Sequence, residues 1–184
     1  LKKPITIEFK LDANKLKKIM DKTNCTFNAA YAYYILKLIN LDNVGVGTLT
    51  TGIKKKKSFN SYGIIPFIYS KEDTPKNINK KIINNSGTAL LSNIFVSYSS
   101  NYLKKLYKNK IYILLSSIPF CKQKALIGDM ELDFHSVCMP YHSCPIYVFS
   151  GKNGNILNVT ISIKNKEIYD NISKKIKKLP EIEY

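Results

Sequence analysis

The chain has no tryptophan and no arginine, and it carries only two histidines and four cysteines among 184 residues. Each shortage closes a route. Without arginine, the planar fork that grips phosphates and guanine edges bidentately is missing. Sequence-specific reading of nucleic acid is therefore not the expected use of a basic chain. The cysteines (Cys25, Cys121, Cys138, Cys144) contain no C-x-x-C pair and are few for this length, so reduced thiols are expected rather than a disulfide scaffold. No run approaches the roughly 18 apolar residues of a membrane helix. The opening "LKKPITIEFK" lacks the apolar centre of a secretory signal, so a cytoplasmic location is expected. Internal repeats and low-complexity linkers are also missing. With 45% hydrophobic content, residues 1–184 are expected to form a single domain around one core.

What is abundant is lysine, which supplies all 29 basic residues against 13 acidic ones, for a net charge of +16. The lysines recur along the chain in "KLKK", "KKKK", "LKKLYKNK" and "KKIKK" instead of gathering in one arm. A solvated basic surface is the simplest meaning, and the wealth of Lys, Asn, Ile and Tyr matches the drift of an AT-rich coding sequence. The alternative is a polyanion-binding protein that gains affinity by releasing counterions.

Hydrophobic spacing gives the element order. "ITIEFKLD" alternates, which predicts a strand with Ile5, Ile7 and Phe9 on one face, and Asp12 can cap the helix that follows. That helix, "ANKLKKIMDKT", gathers Leu16, Ile19 and Met20 on one side. A second helix, capped by Thr26, carries Ala29, Ala30, Tyr33, Tyr34, Leu36, Leu38 and Ile39 and has almost no polar face, so it is predicted to be the most buried. "NVGVGTLTTG" is a strand whose Gly45 and Gly47 admit close neighbours, and "IIPFIYS" is a strand that Pro66 assigns to an edge or an irregular position. Helical spacing returns from Thr74. Strand patterns follow at "IYILLSS" and "ALIGDMELDFHSV", then a hairpin "PIYVFSGKNGNILNVTISI" turning across Gly151–Asn155, then the amphipathic helix "EIYDNISKKIKKL". The order β-α-α-β-β-α-α-β-β-β-β-α predicts an α/β (α+β) fold, a mixed sheet with helices mainly on one face.

The stretch "IYILLSSIPF" predicts a buried strand that ends on Ser116 and Ser117 before Pro119. Two hydroxyls at a strand end are ordinary turn chemistry or a place to hold a ligand.

These segments, in this order, resemble a known family. "CTFNAAYAYYILKLI" is similar to a T-x-N segment of the wax ester synthase, alcohol acetyltransferase and condensation-domain group, with Thr26 and Asn28 at the matching positions. Gly63 resembles the glycine before that group's apolar strand. "YILLSSIPF" resembles its S-N-V-P-G loop, with Ser117 in place of Asn and Phe120 in place of Gly. The closing hairpin and helix are similar too. Other departures are Ala29 where an acidic residue is common and no arginine after the glycine strand. The group belongs to the chloramphenicol-acetyltransferase-like, coenzyme-A-dependent acyltransferases, and the resemblance covers nearly the whole chain but only the C-terminal half of a two-half member.

The resemblance implies an acyl transfer from coenzyme A or a carrier protein to a hydroxyl or amine, in a tunnel between two halves or neighbouring subunits. The family's base is the second histidine of H-H-x-x-x-D-G, which this sequence lacks. The chain would therefore supply the opposite tunnel wall, with Ser117 and Ser116 as candidates for the oxyanion or the pantetheine arm, and Thr26 and Asn28 as weaker candidates. Helix capping and local side-chain bonding are the simpler explanation of Thr26 and Asn28. The implied partner is a histidine-bearing N-terminal half, in the same chain or separate, with an acidic carrier protein as a second partner. Acyl-CoA or an acyl carrier is the implied co-substrate, and no resident cofactor is expected.

Two other readings stand beside this one. A scaffold or binding module of the same fold would use the lysines to meet acidic partners. His135, Cys138, His142 and Cys144 are zinc-compatible residue types within ten residues, but on a strand His135 and Cys138 point to opposite faces, so no metal is expected.

Overall fold

The structure, a computed structural model, describes residues 4–50, 63–87, 111–121, 126–131 and 144–178. Among the described residues twelve elements run in order: β1 (Ile5–Asp12), α1 (Ala13–Thr23), α2 (Phe27–Ile39), β2 (Val44–Thr50), β3 (Gly63–Tyr69), α3 (Pro75–Asn84), β4 (Ile113–Cys121), β5 (Leu126–Ile127), β6 (Met130–Glu131), β7 (Ile146–Asn153), β8 (Ile156–Ile163) and α4 (Lys166–Ile176). Six strands form one mixed sheet in the order β1-β8-β7-β4-β2-β3. The central pairs β2–β4 and β4–β7 are parallel, and the outer pairs are antiparallel.

The register separates two faces. Ile7, Leu11, Leu157, Val159, Ile161, Ile163, Ile146, Val148, Ile113, Leu115, Val46, Ile65 and Phe67 alternate onto one face and join the main core with the helices. On that face α2 packs against α1, α3 and α4. The expected mixed sheet with helices on one face is what forms.

Local chemistry sets the boundaries. Asp12 accepts the amide of Asn14 at 2.8 Å and Thr26 that of Ala29 at 3.4 Å, so the capping residues read from the sequence act as caps. Asn24 and Asn40, in the left-handed region, close α1 and α2. Within α2 the fully buried aromatic ring is Tyr31, stacked on Phe27 at 6.2 Å, whereas Tyr33 and Tyr34 are only partly buried. Ala29, Ala30 and Ala32, all at 0% exposure, let this helix approach its neighbours closely.

Gly47 shows the same economy on the opposite face of the sheet. A Cβ there would stand 2.9 Å from Ile64 Cγ2 and 3.0 Å from Ile111 Cδ1. The predicted hairpin forms, with its turn at Gly154 (φ 59°) and Asn155. The long strand expected over "ALIGDMELDFHSV" is instead a hairpin of two-residue strands with Gly128 (φ 59°) in its turn; residues 132–137 lie outside the described residues.

Pro66 does lie on an edge strand, β3, and that edge is guarded. Proline offers no N–H there. The Ile68 carbonyl accepts Lys81 Nζ at 2.9 Å, and Lys81 also holds the buried Asp73 carboxylate at 2.6 Å. Lys81→Ala strips a cation from a buried carboxylate that keeps only the Ser70 amide among the bonds seen here. A loss of about 2 kcal/mol is expected from the urea midpoint; an unchanged midpoint would mean that water replaces the ammonium at no cost. No helix among the described residues is long and apolar enough to cross a membrane.

Candidate functional site

The two serines sit in the middle of the sheet, not at the end of a strand. β4 continues through them to Cys121, because ladder bonds to the parallel strand β7 depend on backbone groups and not on side-chain polarity. Ser116 pairs in register with Phe149, and Ser117 with Ser150. The strand becomes irregular only after Ile118, where three residues of β4 oppose two of β7 and Pro119 offers no N–H. The expectation that the serines terminate the strand is thus corrected: the proline-bearing bulge lies beyond them.

Alternation sends the two hydroxyls to opposite faces. Ser117 shares the helix face with Ser150 and is half-buried, and Tyr31 of α2 comes down on the same place. The Tyr31 and Ser150 hydroxyls face each other without closing to hydrogen-bonding distance, and both are buried without a partner. Burial pushes the Tyr31 hydroxyl well above the ordinary tyrosine range, and the nearby Ser150 hydroxyl offsets part of that.

Ser116, 3% exposed, points to the other face, where its hydroxyl lies near that of Tyr147. Burial raises the Tyr147 hydroxyl, and the nearby Ser116 hydroxyl works against the rise. Tyr147 lies opposite Ser162, and Phe149 opposite Thr160. The hydroxyls of Ser162 and Thr160 are buried and unpartnered as well. A band of hydroxyls therefore crosses the centre of the sheet on both sides. Such groups can donate to an acyl oxygen or an oxyanion; at neutral pH they cannot take a proton from an acceptor.

Tyr31 provides a direct check. Its hydroxyl makes no hydrogen bond, so Tyr31→Phe is expected to leave the urea midpoint within about 1 kcal/mol of the parent or to raise it. The sign with pH follows from the raised value. Stability that depends on a neutral Tyr31 is present below about pH 10 and falls away as pH rises further. The phenylalanine variant should resist alkaline unfolding better than the parent, and a marked loss of stability would mean that the hydroxyl is bonded after all.

Thr26 and Asn28 stand apart from this band, at the start of α2. Thr26 is exposed and is occupied structurally: besides capping, its hydroxyl and amide both bond Asn79 Oδ1 of α3, at 2.8 and 3.1 Å. Asn28 is half-buried in the first turn. His135, Cys138 and His142 lie outside the described residues, and Cys144 is a buried thiol, like Cys25. No group of three metal-binding side chains exists among the described residues. Tyr31, Ser150, Tyr147 and Asn79 escaped the sequence reading. Ser150 had left a signal, since it continues the period-two face of Ile146 and Val148.

No family model and no curated protein matches this sequence. Solved structures do. The epimerization domain from the third module of tyrocidine synthetase B is similar with a TM-score of 0.60 at 9% identity, over 95% of this chain and 46% of that one. The wax ester synthase/diacylglycerol acyltransferase from Marinobacter aquaeolei VT8 is similar with a TM-score of 0.54 at 9% identity, over 95% and 48%. A chloramphenicol acetyltransferase is similar with a TM-score of 0.53 at 10% identity, over 95% of this chain and 86% of that one. The chain thus spans about half the length of the first two and most of the third. It has the chloramphenicol-acetyltransferase-like fold.

Proposed function

We infer that the chain is one wall of an acyltransferase: it holds an acyl group delivered by coenzyme A or a carrier protein, and another polypeptide unit supplies the base for the hydroxyl or amine acceptor. The observation that carries this is the hydroxyl band around Ser117 and Ser150 at the centre of a sheet of acyltransferase fold. It combines with a sequence that contains no H-H-x-x-x-D-G. Half-buried Ser117 offers a carbonyl oxygen a donor there, and among the described residues an acceptor proton finds no imidazole. The base would come from a histidine-bearing half, in the same polypeptide or separate. The lysine surface suits an acidic carrier protein or the phosphates of coenzyme A.

Titration of acetyl-CoA into the chain at two salt concentrations tests the reading. Saturable binding that survives added salt and distinguishes acetyl-CoA from plain duplex DNA is expected. Binding that collapses with salt and treats both polyanions alike would assign the lysines to nonspecific attraction instead.

A further inference from the structure

We propose that β1 is a docking edge for a second copy of this chain, joining two six-stranded sheets antiparallel about a two-fold axis at Phe9. The two edges of the sheet are finished differently. β3 is guarded by Pro66 and by Lys81 on the Ile68 carbonyl. β1 has eight residues, no proline, and a strand neighbour on one side only among the described residues. An edge of that kind presents a row of backbone donors and acceptors ready for another strand. Its apolar face is also incompletely covered. Ile5 is 38% exposed and Phe9 only partly buried, whereas β8 next to it is buried almost throughout.

The side chains select the occupant and the register. Thr6, Glu8, Lys10 and Asp12 share the face away from the helices. An axis at Phe9 sets Glu8 opposite Lys10 of the second copy, Lys10 opposite Glu8, and Thr6 opposite Asp12, while Ile7 meets Leu11 and Phe9 meets Phe9 on the helix face. Moving the axis by one residue brings Glu8 against Glu8 or Lys10 against Lys10, and directly opposed like charges destabilise a strand pair. The strand is thus complementary to itself in one long register, as an isologous interface requires. Glu8 and Lys10 also make contacts within their own chain, so the opposed charges set the register and the backbone edge provides the attachment.

Sedimentation equilibrium of the full chain across a concentration series, with charge-exchanged variants, tests this. The parent should form a dimer. E8K and K10E should each weaken it about tenfold or more, because each turns both symmetric pairs into like charges. The double variant E8K/K10E should restore it. Circular dichroism melts verify that each variant folds, and E8Q and K10Q replace any that does not, with a smaller weakening expected. A chain that stays monomeric at every concentration overturns the proposal, as does a dimer indifferent to the single exchanges or not rescued by the double one.

Discussion

Ala30→Glu is expected to abolish cooperative folding. Ala30 is fully buried in α2, the helix that α1, α3 and α4 all pack against. The substitution adds volume where small residues permit close approach, and it places an ionised group where water is excluded. Together these cost about 5 kcal/mol or more. That is comparable with the roughly 5–15 kcal/mol that holds a domain together. Lys18→Glu on the exposed side of α1 is the control, with an expected change within about 0.5 kcal/mol. A sigmoidal melt for Ala30→Glu near that of the parent would contradict the burial of α2.

The second large effect belongs to Ser117. Half-buried beside Ser150, it can present a hydroxyl to a bound acyl group, whereas Ser116 is nearly inaccessible and lies near Tyr147. Ser117→Ala should change stability by no more than about 1 kcal/mol, since a partly exposed hydroxyl contributes little to the fold. In an enzyme reconstituted with a histidine-bearing half, it should lower turnover on the order of 100-fold, the usual loss when an oxyanion donor is removed. Ser116→Ala should cost stability through the lost Tyr147 contact and leave turnover nearly intact. The opposite pattern, with Ser116 governing rate and Ser117 silent, would move the site to the other face of the sheet.

The strands and caps were legible because their signals are local. Alternation in "ITIEFKLD" marks β1, and Asp12 and Thr26 do what short polar side chains do before a helix. The glycine and asparagine of the β7–β8 turn are equally plain. The site was harder to read. Ser-Ser-Ile-Pro has the composition of a turn, and only pairing with a parallel strand more than thirty residues later keeps it extended. In a helix as apolar as α2, periodicity gives no reason to prefer Tyr31 over Tyr33 or Tyr34; its burial follows from where α2 meets β7. The Thr26–Asn79 bond joins residues 53 positions apart, and no local pattern announces such a contact.

Free thiol release from acetyl-CoA, with simple alcohols and amines as acceptors, tests most directly the claim that the transfer base comes from outside this chain. The purified chain alone should release thiol no faster than buffer, and release should appear when a histidine-bearing half is supplied. Robust turnover by the chain alone that vanishes in His135→Ala or His142→Ala would contradict it, because one of its own two histidines would then be the base.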